Sequence, residues 1–183
     1  TGELIPTPGL KGSRPATFSP QDILPATAYG ETAIAVWRYD AEHASWYILN
    51  ELDMGATPHG MAFSPDGTIL AATARSESGE VILWDVYKGI KLHSLAVSSQ
   101  QITTLAFSSD GRLLALGGRD NTAHLIDIER GRVIWSDTGG QALVTALAFS
   151  PDSRLLAVGR AQLRADGLET AIWHIPSDEP AED

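Results

Sequence analysis

The sequence predicts an all-β chain made of four copies of one four-stranded antiparallel sheet. Three observations predict it. All four phenylalanines, Phe18, Phe63, Phe107 and Phe149, fall in one slot, each followed by Ser, at separations of 63−18 = 45, 107−63 = 44 and 149−107 = 42 residues. The residues after each Phe repeat one order of apolar runs and turn signals. Those runs are short, alternating and bounded by Gly, Asp, Asn and Ser, which is the pattern of strands.

The copies cover residues 16–49, 61–95, 105–135 and 147–175, the first being the most worn. The third shows the anatomy best. "ITTLAF" at 102–107 alternates apolar with small or polar residues and reads as a first strand. "SSDG" at 108–111 is turn chemistry, Asp favouring the turn and Gly accepting positive φ. "RLLALGG" is a buried second strand, "RDN" a turn, "TAHLIDI" a third strand, "ERGR" a turn, and "VIW" opens a fourth. Copies one to three run on into fourth strands, "SWYILNEL", "IKLHSL" and "RVIWSD". Copy four stops at "AIWHI" and passes into the acidic, proline-containing "PSDEPAED", so it is expected to lack its outer strand. A sheet of this kind has two apolar faces, and neighbours must stack face to face around an axis. A period of about 40 to 45 residues with several short strands per unit is the period of a β-propeller.

The stretches "FSPDG", then "ILAATA" or "LLALGG", then "VILWDVYKG" resemble the WD-repeat β-propeller family, with the Trp-Asp pair itself at Trp84 and Asp85. The resemblance spans roughly residues 14 to 175. The family's third-strand Trp stands at Trp37, Trp84 and Trp173 and is Ile126 in copy three; the Asp after it is Arg38 and His174 in copies one and four. Its His-Gly survives as His59 and Gly60, and its turn Asp between second and third strands as Asp120. The resemblance implies that these side chains brace a blade by hydrogen bonds, and no copy keeps the full set. It also implies that an N-terminal segment supplies the outer strand of the last blade. "GELIPT" at 2–7 is the candidate, with Pro6 and Pro8 tolerable at an edge. The expected organisation is a closing segment at 1–13, repeats at 14–52, 57–96, 100–137 and 142–175, and an acidic tail at 176–183. Three arrangements stay open: a closed four-bladed ring, two chains forming eight blades by exchanging "GELIPT", or a piece of a longer propeller. The chain begins at Thr1 rather than Met and is expected to be processed or cut from something longer.

Composition excludes several functions. With 43% hydrophobic and 20% charged residues, the 183-residue chain can bury a real core and is not disordered wholesale. No apolar run approaches the eighteen or so residues of a membrane span, and the start lacks a signal peptide's apolar core. Cysteine is absent, which removes disulfides and thiolate zinc sites and fits a reducing, cytoplasmic setting. A net charge of −10 argues against nucleic-acid binding, which needs a basic stripe.

The histidines His43, His59, His93, His124 and His174 fall at unlike positions, and His93 and His124 read as ordinary sheet positions. Asp66, Asp110 and Asp152 recur in one turn, where Asp's turn preference explains them. No nucleophile elbow, phosphate loop, calcium loop or zinc-protease pattern occurs, so no catalytic residue, cofactor or metal site is expected. Two places break the repeat. "RYDAEHASWY" at 38–47 puts Tyr39, Trp46 and Tyr47 on the outer edge of blade one, where they anchor a partner or pack beneath the N-terminal segment. "GRAQLRADGLETA" at 159–171 is a longer hairpin bringing Arg160 and Arg164 to one rim, for a partner or simply for solvent. The loops "DMGATPHG", "AVSSQQ" and "DTGGQA" are small and polar and suit hydrogen bonding to a peptide or loop.

The expected function is therefore a non-catalytic scaffold that binds a protein or peptide, the partner including a second copy or the remaining blades of a longer propeller. A sensory or regulatory propeller domain that binds a ligand is the alternative, and a hydrolase or lyase propeller a weaker one.

Overall fold

A computed structural model describes residues 15–137, 141–161 and 168–175, and within them the chain is all β. The expected closing segment, the acidic tail and Arg164 lie outside the described residues. The chain divides into two compact units, Thr1–Ile102 and Thr103–Asp183.

The first unit holds two blades. Blade 1 is β1 (Ala16–Phe18), β2 (Pro25–Tyr29), β3 (Ala33–Asp40) and β4 (Ser45–Asp53). Blade 2 is β5 (Pro58–Phe63), β6 (Ile69–Ala74), β7 (Gly79–Asp85) and β8 (Ile90–Ser98). Each is a four-stranded meander in chain order. Their facing rows form one core in which Leu24, Ala26 and Val36 of blade 1 meet Leu70, Ile82 and Trp84 of blade 2. Each large apolar side chain contributes about 2 kcal/mol on burial. That outweighs rim bonds such as Asn50 Nδ2 to the Val86 carbonyl at 2.8 Å, worth about 1 kcal/mol each.

The second unit repeats the scheme. Blade 3 is β9 (Ile102–Phe107), β10 (Leu113–Gly118), β11 (Ala123–Asp127) and β12 (Arg132–Asp137). Blade 4 is β13 (Leu143–Phe149), β14 (Leu155–Ala161) and β15 (Leu168–His174), three strands among the described residues. Ala115, Ala123 and Leu125 pack on Val144, Leu156 and Val158, with Trp135, Leu147 and Phe149 at the margin. An ideal Cβ on Gly117 would lie 2.3 Å from Val144 Cγ1, so blade 4 approaches to the backbone of blade 3.

The turn after each Phe is built one way in blades 2, 3 and 4. The Ser hydroxyl donates to an Asp two residues on, at 2.6 Å for Ser64–Asp66, Ser108–Asp110 and Ser150–Asp152. The same oxygen accepts the N–H of the next strand's first residue, at 2.9 Å for Ile69, Leu113 and Leu155. The residue after the Asp has positive φ, which suits Gly67 and Gly111. Blade 4 has Ser153 there at φ 60, and its hydroxyl accepts the Asp110 N–H across the blades at 3.1 Å.

Blades 1 to 3 share a bulge on the outer strand. The register slips between Val36 and Trp37, between Leu83 and Trp84, and between Leu125 and Ile126. Leu49, Leu92 and Ile134 are the extra residues. A bulge bends the strand and adds twist, and here it always lies beside the Trp slot.

Candidate protein-interaction surface

The hairpin joining β3 to β4 turns tightly at 41–44. Asp40 caps it, its Oδ1 accepting the N–H groups of Glu42 at 2.9 Å and His43 at 3.3 Å while His43 Nδ1 sits 2.7 Å from Oδ2. The bond with His43, aided by the two backbone bonds, holds the Asp40 carboxyl below its ordinary value. Register pairs Tyr39 with Trp46 and Arg38 with Tyr47, so Tyr39 and Trp46 share one face and Tyr47 takes the other. The Tyr39 and Trp46 rings lie 5.2 Å apart at 55°, a favourable aromatic geometry. Trp46 Nε1 is buried without a partner, while Tyr39 and Tyr47 are exposed, Tyr47 to 44%. A braced hairpin thus presents amphipathic rings that lose little freedom on binding.

Arg160 does not join them. The expectation that it offers its guanidinium to a partner is corrected: it is 3% exposed, and Nη2 donates to Asp137 Oδ2 at 2.5 Å, with Nε buried and unpaired. Arg160 lies on the β14 row with Leu156 and Val158, which points into the core rather than at the rim. A buried arginine keeps its charge and must find a carboxylate.

The repeat residues divide by environment. Phe63 is buried, Phe107 and Phe149 are half-buried, and Phe18 is exposed. Trp37 Nε1 donates to Thr27 Oγ1 at 2.9 Å. Trp84 Nε1 is buried without a partner, with Lys91 Nζ 5.4 Å above the ring. Trp173 packs against Trp135 at 5.4 Å. His59 is the extra residue of a bulge in β5, and the following Gly60 N–H donates to Thr73 Oγ1 at 3.1 Å. Asp120 accepts from the Thr122 N–H at 3.2 Å and lies 2.9 Å from His124 Nε2. His124 Nδ1 lies 2.9 Å from Ser136 Oγ. This Asp120–His124–Ser136 chain ties a turn to two strands of blade 3, and reading His124 as an ordinary sheet position missed it. The available signal was an Asp four residues before a His on a strand. Among the described residues no three His, Asp or Glu side chains are grouped to hold a metal ion, and no helix is long and apolar enough to cross a membrane.

The blade geometry agrees with comparison to known families. The model of the anaphase-promoting complex subunit 4 WD40 domain matches residues 16–108 and 96–138, and the WD domain, G-beta repeat model matches residues 131–167. The chain belongs to the WD-repeat family. Eukaryotic translation initiation factor 3 subunit I of Bombyx mori is similar to this WD-repeat chain, 38% identical over 64 residues, which is 35% of the chain and 18% of that relative. The match therefore spans under a fifth of the relative's length.

Proposed function

We propose that this WD-repeat chain is a non-catalytic platform for protein assembly, and that the β3–β4 hairpin is one of its contact points. The observation that carries the reading is exposed Tyr39 packed on Trp46 on one face, and exposed Tyr47 on the other, of a hairpin whose turn is capped at Asp40. Aromatic anchors on a stiff frame are the residues that dominate binding energy. Family membership supports the reading, as does similarity to proteins whose names describe subunits of larger assemblies. The lack of cysteine supports a cytoplasmic setting. The test is quantitative affinity capture with the full chain and with Tyr39→Ser and Tyr47→Ser. Loss of a specific protein by about tenfold or more is expected for at least one variant. Identical capture by all three chains would remove the hairpin from the binding surface.

A further inference from the structure

Away from the hairpin, blade 3 holds a connected row of three complementary side chains. Asp120 stands in the turn between β10 and β11, His124 on β11, and Ser136 on β12, the outer strand. The pairing of β11 with β12 sets His124 directly opposite Ser136. The Asp120 carboxylate is itself held: Oδ1 accepts the Thr122 N–H at 3.2 Å, and Oδ2 lies 2.9 Å from His124 Nε2. His124 is 8% exposed, whereas Ser136, whose Oγ lies 2.9 Å from His124 Nδ1, meets solvent.

The proton positions follow from what each group can do. An ionised carboxylate only accepts, so Nε2 carries the imidazole hydrogen and donates it to Asp120. The neutral ring then has a bare Nδ1, and the Ser136 hydroxyl donates to it. A serine aimed at an imidazole whose far nitrogen is fixed by a carboxylate is the arrangement that makes an alcohol nucleophilic. Among the described residues, the hydroxyls of Ser64, Ser94, Ser108 and Ser150 donate to carboxylates instead. Carboxylate is a far weaker base than imidazole. Ser94 gives the contrast within one slot, since it faces Ile82 in blade 2 as Ser136 faces His124 in blade 3.

We propose that Ser136 is an acyl-acceptor site, modified by activated esters or thioesters with His124 as the base. The serine oxygen attacks the acyl carbon, and the new Oγ–C bond forms as the bond to the leaving oxygen or sulfur breaks. The hydroxyl proton passes to His124 Nδ1 and from there to the leaving group. Ester plus serine thus give acyl-serine plus a free alcohol or thiol. A single acylation without turnover goes beyond the platform reading and is compatible with it, and Ser136 lies on a different blade from the β3–β4 hairpin.

Treating the full chain with p-nitrophenyl acetate tests it, with nitrophenolate release followed by absorbance and the acetyl group mapped by peptide mass spectrometry. Acetylation of Ser136 should outpace that of Ser94 by about tenfold or more, since general-base help is worth about 100- to 10,000-fold in rate. Ser136→Ala should abolish the fast phase. Asp120→Asn keeps the shape of the side chain and removes the charge that fixes the ring. Its rate at Ser136 should fall by about tenfold or more while circular dichroism retains the strand signal. If Asp120→Asn disturbs the fold, His124→Gln removes the same base from β11 and should slow Ser136 equally. Acetyl groups on lysines alone, equal rates at Ser94 and Ser136, or a folded Asp120→Asn or His124→Gln chain as reactive as the parent would each overturn the proposal.

Discussion

At the scale of single residues the Ser–Asp turns set how the chain responds to acid. Burial alone would raise the carboxyls of Asp66 and Asp110, and the bonds from Ser64 with Thr68, and from Ser108 with the Arg112 N–H, outweigh it, leaving both below the ordinary 3.8. A carboxyl lowered in the folded state contributes stability that is complete above 3.8 and is lost as pH falls through the depressed value. Urea midpoints measured from neutral pH downward should therefore drop across that window, and Asp66→Asn with Asp110→Asn should flatten the drop. An unchanged slope would show that other groups control the acid limb. These turns were legible in the sequence because Phe, Ser and Asp hold fixed spacing. The Asp120–His124–Ser136 chain was not, because Ser136 lies twelve residues beyond His124 and meets it only once β11 and β12 pair.

At the scale of elements, strand number and order follow from alternation and turn chemistry, and the bulges do not. An extra residue shifts the alternation by one position and then restores it, so Leu49, Leu92 and Ile134 look like ordinary apolar residues until the partner strand is in place. Arg160 misled for a related reason. Its partner Asp137 is 23 residues away on another blade, and a period-two pattern gives no account of an arginine on the buried row. The pair fastens β14 to β12, and removing one member takes from a buried charge its ion-pair partner. Arg160→Met should cost about 3 to 5 kcal/mol in urea unfolding. Replacing both members by apolar residues of similar volume should restore most of it, and a single variant as stable as the parent would show that the pair is not a fastening.

At the scale of the whole molecule, charge and surface pull in opposite directions. A net charge of −10 makes two copies repel, whereas exposed Phe18 and Ile172 favour contact. Screening shortens the reach of the repulsion from about 30 Å at 0.01 M salt to about 3 Å at 1 M. Self-association should therefore strengthen on raising sodium chloride over that range, read by sedimentation or light scattering. Weakening with salt would mean that paired charges, not exposed apolar side chains, govern contact between copies.

The Ser–Asp turns also bear on the order of events during synthesis. Each closes within six residues, Ser64 to Ile69, Ser108 to Leu113 and Ser150 to Leu155. Short loops cost little entropy to close and form fast. The first hairpin of a blade can thus be set while the rest of that blade is still on the ribosome, and blades 1 and 3, once finished, wait for blades 2 and 4 to cover their small, apolar sides. Within each unit, the face left by the first blade is therefore covered once the next forty or so residues are made.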